Sequence, residues 1–297
     1  MIISASRRTD IPAYYGEWFM NRLREQYVLV RNPYNPSHIS RISLNENEID
    51  CIVFWTKNPL PFTKWLQKIN LPYYFLFTIT GYDKDLELSI PAKENLVNMF
   101  IDLSMLCGRD RVIWRYDPVV ITNKYTTDWH IRNFSCLAEQ LHSYTAKCIF
   151  SFLHVYSKCK ASLESAGILE IIESQKIILG KELGKIALSF RLEMESCATE
   201  TELSAFGIKK GSCINQLLIE NMTGTSLKIS KDKSQRRHCG CVESIDIGAY
   251  NTCPGHCLYC YANSGFEKSL KNHEDHDPKS PLLTGRLLHG DLIFDRN

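Results

Sequence analysis

No apolar run in this chain approaches the roughly 20 residues needed to cross a bilayer, and the opening stretch MIISASRRTD lacks the apolar core of a secretory signal. A cytoplasmic protein with no membrane partner is therefore expected. Neither charge is in excess. Lys and Arg number 35 against 33 Asp and Glu, a formal net charge of +2, so no global field demands nucleic acid, a lipid surface or an acidic substrate. Glycine and proline are sparse, 15 and 11 in 297 residues, and no repeat or low-complexity tract is evident, which excludes collagenous and disordered architectures. What remains is an ordinary globular composition, 44% hydrophobic and 23% charged, sufficient to bury a full core.

Cysteine is the departure from this plainness. Twelve cysteines are many for a compartment that keeps thiols reduced, so metal or cluster ligation is a better explanation than a disulfide framework. Cys51, Cys107, Cys136, Cys148 and Cys159 lie in apolar segments and are expected to be small buried hydrophobes. The other seven all lie beyond residue 195.

Short β-rich apolar runs alternate with helical stretches, the sign of βαβ units and a parallel sheet. Strands are predicted over residues 2–6, 51–56, 73–80, 111–115, 147–153, 186–193 and 244–250, and helices over 14–26, 93–107, 128–143 and 162–183. Residues 222–238 and 272–280 read as loops. The chain is expected to be a single α/β domain, with main β/α units in residues 1–195 and a cysteine-rich segment in 196–297. Four strands run into polar residues at their C-terminal ends: Ser6-Arg7-Arg8-Thr9-Asp10, Thr56-Lys57-Asn58-Pro59, Thr78-Ile79-Thr80-Gly81 and Arg115-Tyr116-Asp117-Pro118. Each segment alone is explained by capping and turn chemistry. In a parallel barrel, however, such ends share one face, where active sites are built.

The segment Cys253-Pro254-Gly255-His256-Cys257-Leu258-Tyr259-Cys260 has the spacing C-x3-C-x2-C. Three thiolates in one short loop can hold three irons of a cubane and leave the fourth open to a small molecule. Zinc is the alternative, and it would want a fourth ligand such as His256, Cys239 or Cys241.

This spacing, with an aromatic residue just before the third cysteine, resembles the cluster motif of the radical S-adenosylmethionine superfamily. The resemblance implies a 4Fe-4S cluster on Cys253, Cys257 and Cys260, with Tyr259 near the adenine of S-adenosylmethionine. It also implies reductive cleavage to a 5'-deoxyadenosyl radical that abstracts hydrogen from a substrate. A small electron-donor protein such as ferredoxin or flavodoxin would be the partner. The stretch Cys257-Leu258-Tyr259-Cys260-Tyr261-Ala262-Asn263-Ser264, with Phe75–Thr78 extending to Thr80, acidic Asp83-Lys84-Asp85-Leu86-Glu87 and Arg115-Tyr116-Asp117-Pro118, resembles the spore photoproduct lyase branch. There the cluster loop follows the first strand, whereas here it lies near the end. A circularly permuted, partial (β/α)6 TIM-like barrel reconciles the two, with 244–250 as first strand and 2–6 as second. Over nearly its whole length the chain also resembles domain-of-unknown-function family 1848, through the opening Ser4-Ala5-Ser6-Arg7-Arg8-Thr9-Asp10-Ile11-Pro12, Phe54-Trp55-Thr56-Lys57-Asn58-Pro59 and the stretch from Cys239 to Asn263. That membership names no substrate.

On this reading Arg7, Arg8, Lys57 and Arg115, with Asp10, form the catalytic set, the cations holding the carboxylate of S-adenosylmethionine or an anionic substrate. Ion pairing with Asp10, Asp117 or Glu193 is the plainer role for each cation. Thr78 and Thr80 are candidate ribose or amino-group contacts, and Asn263 a candidate cap for the helix after the loop. Cys197, Cys213, Cys239 and Cys241 are either independent thiols or a second site, an auxiliary cluster or a four-thiolate zinc. Lys228, Lys231, Lys233, Arg236 and Arg237 read as a solvated loop or a nucleic-acid contact. A metal-stabilised, non-catalytic binding protein, perhaps for nucleic acid, is the alternative function. The run His273-Glu274-Asp275-His276-Asp277 reads as a polar loop.

Overall fold

The computed structural model describes residues 1–296. β1 (Ile2–Ala5) leads into α1 (Ile11–Tyr14) and α2 (Gly16–Glu25), then an antiparallel hairpin of β2 (Tyr27–Arg31) and β3 (His38–Ser43). Next come β4 (Cys51–Thr56), a 3-10 stretch Leu60–Lys68, β5 (Tyr73–Thr78), α3 (Lys93–Cys107), β6 (Val112–Val119), α4 (Thr127–Leu141) and β7 (Lys147–Phe152). The remainder holds α5 (Lys160–Ser165), α6 (Glu173–Ser189), β8 (Glu193–Ser196), β9 (Ile208–Lys210), α7 (Gln216–Thr223), β10 (Ile245–Asp246), α8 (Phe266–Glu274) and β11 (Leu292–Arg296).

Eight strands form one sheet in the order β10-β1-β4-β5-β6-β7-β8-β9, and all its ladders are parallel. From β4 onward each strand is added on the same side as the last. Right-handed crossovers then place the connecting helices on one face. The side chains obey this. Ile52, Phe54, Phe75, Phe77, Trp114 and Phe150 join a core with Phe19 of α2, Phe100 of α3, Phe134 of α4 and Leu183 of α6. The alternate positions Ile2, Cys51, Val53, Tyr74, Leu76, Ile113 and Ile149 pack instead against Cys197, Cys213, Ile214, Ile219, Cys239 and Cys241. Strand period two thus assigns each run to two different cores. The cysteine-rich segment fills the face that the helices leave free.

Periodicity predicts α3 at its observed bounds because Leu96, Phe100 and Leu103 all bury. Elsewhere the structure corrects expectation. The helix over 162–183 is two helices, broken where Gly167 takes a φ of 68°. The strand over 186–193 is instead the end of α6, since Leu179, Leu183 and Ala187 bury at helical spacing. Arg191, at φ 53°, ends that run and β8 follows. The sheet has eight strands rather than six, and only Ile245–Asp246 of residues 244–250 pairs as strand. A second sheet, β11-β3-β2, has no signature in the sequence, because its third strand comes from the far end of the chain. Cys51, Cys148 and Cys159 are buried as expected, but Cys136 is exposed and Cys107 half-buried. Asn272 to Glu274 continue α8 rather than opening a loop.

Candidate functional site

Along the second face of the sheet the chemistry changes with height. The N-terminal ends of the strands contribute Ile2, Val53, Tyr74 and Ile113. On the same parity the C-terminal ends contribute Ser4, Ser6, Lys57, Thr78, Thr80, Arg115, Asp117 and Ser151. In parallel sheets this is the end where ligands are held.

β10 delivers the three-cysteine loop to that end, and Asp246 anchors it. Its carboxylate accepts hydrogen bonds from Ser6 Oγ at 2.7 Å, Ser4 Oγ at 3.1 Å, the Arg7 backbone N–H at 2.7 Å and the Gly248 N–H at 3.0 Å. Gly248 is required here, since a Cβ would overlap Ser6 Oγ. Beyond it, the loop pairs with the segment after β5. Leu258 N–H donates to Leu86 O at 3.0 Å, Leu88 N–H donates to His256 O at 3.3 Å, and Glu87 and Cys257 form an antiparallel bridge. His256 takes a left-handed φ of 49° and stacks on Phe266, ring centroids 4.0 Å apart. Asn263 Nδ2 donates to Cys253 O at 2.7 Å and so braces the loop; the residue capping α8 is Gly265, not Asn263. The Ala262 N–H lies 3.4 Å from Cys260 Sγ, and backbone N–H groups of Gly255 and Asp10 face Cys253 Sγ.

Burial, then the nearby Asp10 and Cys260, push the Cys253 thiol up to about 12. Burial likewise raises Cys257 and Cys260, although Lys57 opposes it in both. Such thiols keep their protons until a cation is bound, which then releases them. Burial also raises the Asp10 carboxyl to about 6, against hydrogen bonds from the Lys57 N–H at 2.7 Å and the Ala13 N–H at 3.0 Å.

Glu87 is the hub of the site. One carboxylate oxygen accepts from Lys57 Nζ at 2.8 Å, from Thr80 Oγ1 at 2.7 Å and from the Tyr259 hydroxyl. Lys57 also sits over the Tyr259 ring, 5.8 Å from its centroid. Burial lowers the Lys57 ammonium, but Glu87 and Cys257 more than offset it, so it is held as a cation. Glu87 is 3% exposed. Its central position is not apparent in the sequence, where it closes an ordinary acidic run.

Each of the three arginines stands beside a carboxylate. Arg115 pairs with Asp117 and lies 4.7 Å from the centroid of Trp55. Arg7 stands 3.9 Å from Asp232 and 5.5 Å from Trp55, and Arg8 stands 3.8 Å from Asp246. Thr78 is buried at the end of β5. Two buried oxygens at this end, Thr9 Oγ1 and Asn263 Oδ1, have no hydrogen-bond partner. His273 and His276 pack edge-on to Tyr15, at 5.2 and 4.7 Å. Lys228, Lys231, Lys233 and Arg237 are exposed.

The structure brings Cys197, Cys213, Cys239 and Cys241 together below this site. His256, stacked on Phe266, and Cys239 and Cys241, engaged with other thiols, are therefore committed away from the three-cysteine loop. Among the described residues, no group of three or more His, Cys, Asp and Glu side chains is arranged, as it stands, to hold a metal ion.

Fold and site together define an α/β protein with an all-parallel sheet, whose polar end carries a cysteine loop and a buried Lys–Glu–Tyr hub. The chain belongs to the family described as Domain of unknown function (DUF1848), whose model matches residues 2–262. No curated protein and no solved structure matches it. Among the described residues no helix is long and apolar enough to cross a membrane.

Proposed function

We propose that this chain is a radical S-adenosylmethionine enzyme built on an incomplete, circularly permuted parallel barrel. The observation that carries the reading is the placement of Cys253, Cys257 and Cys260 across the C-terminal end of a parallel sheet, stitched to β1 and to the loop after β5. The residues present fit a cluster with one open iron. The thiols of Cys253 and Cys260 both help to raise that of Cys257, and His256 is turned elsewhere. The bound cluster would supply the single electron for reductive cleavage of S-adenosylmethionine.

The chain's own residues do the rest. Cys253, Cys257 and Cys260 ligate, and backbone N–H groups aimed at Cys253 and Cys260 stabilise thiolate over thiol. The unpartnered Asn263 Oδ1 and Thr9 Oγ1 are acceptors in want of donors, which the amino and hydroxyl groups of S-adenosylmethionine carry. Lys57 provides a buried cation for a carboxylate, held by Glu87. Tyr82, Leu86, Val120 and Tyr125 pack around Tyr259 and exclude water from that side. A reducing, cytoplasmic setting and a small electron-donor protein such as ferredoxin or flavodoxin belong to the same reading.

The test is anaerobic purification with iron reconstitution, followed by the visible spectrum and an assay for 5'-deoxyadenosine with dithionite and S-adenosylmethionine. A brown protein that forms 5'-deoxyadenosine is expected, with Cys257→Ala losing both. Colourless protein that forms none, or a Cys257→Ala variant with undiminished iron and activity, would overturn the proposal.

A further inference from the structure

The four cysteines on the other side of the arginines do not belong to the three-cysteine loop. They come from three places in the chain: Cys197 just after β8, Cys213 in the loop from β9 to α7, and Cys239 and Cys241 in a C-x-C turn before β10. All four are buried, at 6%, 1%, 6% and 2% exposure. Cys197 and Cys213 are hydrogen-bonded, and each of the four thiols shifts the titration of two of the others, in the ring Cys197, Cys213, Cys241, Cys239. Four thiolates on one zinc ion would stand at the corners of a tetrahedron. The Cys197–Cys213 edge measures 3.7 Å between sulfurs. Zn–S bonds of about 2.3 Å in a tetrahedron require edges of about 3.8 Å, whereas a disulfide needs about 2.05 Å.

The surroundings are built for that ring. Gly240, between the C-x-C cysteines, touches the loop of Cys213 so closely that a Cβ would lie 2.8 Å from Gly211 O. The Ile214 N–H donates to Cys241 Sγ at 3.3 Å, the bond that favours thiolate. Two guanidinium groups, each 13% exposed, act electrostatically on the sulfurs, Arg7 on Cys241 and Cys213 and Arg115 on Cys213 and Cys197. Each keeps a buried nitrogen without a partner, Arg7 Nη2 and Arg115 Nε. Asp232 and Asp117 answer part of that charge. A divalent ion on four thiolates carries two net negative charges, which complement two arginines.

We propose that Cys197, Cys213, Cys239 and Cys241 bind one tetrahedral zinc ion, which fastens the residues from 197 to 241 to the sheet beneath the candidate active site. The four thiols lose their protons to solvent as four Zn–S bonds form, and no electron is transferred. The ion sits against Tyr74 at mid-sheet, whose hydroxyl already donates to Cys213 O at 2.7 Å. The site is structural, and it holds Arg7 and Arg115 at the floor of the polar end. It does not depend on the reaction proposed for the other loop.

The two sites are separated by a Cys253→Ala/Cys257→Ala/Cys260→Ala variant of the full chain, purified without oxygen and analysed for zinc and iron alongside the parent. About one zinc per chain should remain in that variant while iron is lost. Refolding the variant with cobalt(II) in place of zinc should give the intense thiolate-to-cobalt charge-transfer and tetrahedral d–d bands of a sulfur site. Adding Cys241→Ser should weaken them. A folded triple variant that holds no zinc and shows no cobalt bands would overturn the site. So would an iron–sulfur spectrum persisting in it, or disulfides among the four cysteines in the freshly purified parent. The cobalt spectrum of the triple variant alone reports the thiolate ligands, so the test stands even where Cys241→Ser fails to fold.

Discussion

Glu87 and Lys57 illustrate how a site residue can be hidden and exposed at once. Lys57 is legible at a strand end, but its partner lies thirty positions on, in the segment after β5, and only the fold brings the two together. Their pairing is buried, so each member depends on the other. Glu87→Leu, which leaves the Lys57 ammonium uncompensated, is expected to cost about 3–5 kcal/mol. The double variant Lys57→Met/Glu87→Leu should cost clearly less than the sum of the singles. Urea denaturation of the four proteins checks this, and additive losses would mean that the pair is uncoupled. His130 is a second buried titrating group. It exchanges hydrogen bonds with the Tyr116 hydroxyl at 2.7 Å and Val120 O at 2.9 Å, and burial lowers it to about 4. Its folded pKa lies below the unfolded value near 6.5, so the unfolded chain binds more protons between the two and stability rises with pH there. The contribution should be complete above pH about 6.5 and lost toward pH 4, up to about 3 kcal/mol. His130→Asn should be less stable at neutral pH yet flatter across that window in melting experiments.

At the scale of elements, the shortest strand has the largest consequence. β10 is two residues long and carries little ladder energy of its own, so the loop it launches depends on the side-chain bonds of Asp246 and on Gly248. Gly248→Ala, which forces Ser6 away, should loosen residues 247–265. Faster amide exchange in that segment, with α3 and β5 unchanged, is the expected result, along with weaker iron retention after reconstitution. Equal exchange in variant and parent would show that the loop is held by other means. α3 and the central strands were legible because one face of each repeats at the period of its element. The end of α6 reads as strand in the sequence because Ile186 and Phe190 are β-prone, and its helical state is decided by burial of Leu183 and Ala187 in the core.

The whole molecule joins two cores through one sheet, and the second core exists only because residues beyond 195 return to cover it. Divided at that boundary, the main β/α units should not stand alone. A chain ending at Ser196 would leave Ile2, Val53, Leu76, Ile113 and Ile149 bare, and is expected to aggregate or bind a hydrophobic dye without a cooperative melt. A soluble 1–196 fragment with a sharp transition would show that the cysteine-rich segment is an appendage. By itself the sequence determined the α/β class, the polar strand ends, the three-cysteine loop and the seven cysteines set apart from the rest, because period, turn chemistry and ligand spacing are properties of neighbouring residues. Only the tertiary structure decided that β10 pairs with β1, that β11 completes a separate sheet with β3, that Glu87 closes on Lys57 and Tyr259, and that Cys197, Cys213, Cys239 and Cys241 meet. Those contacts join residues far apart in the chain. They are selected by which surfaces remain to be buried once the local elements have formed, and no local pattern encodes that choice.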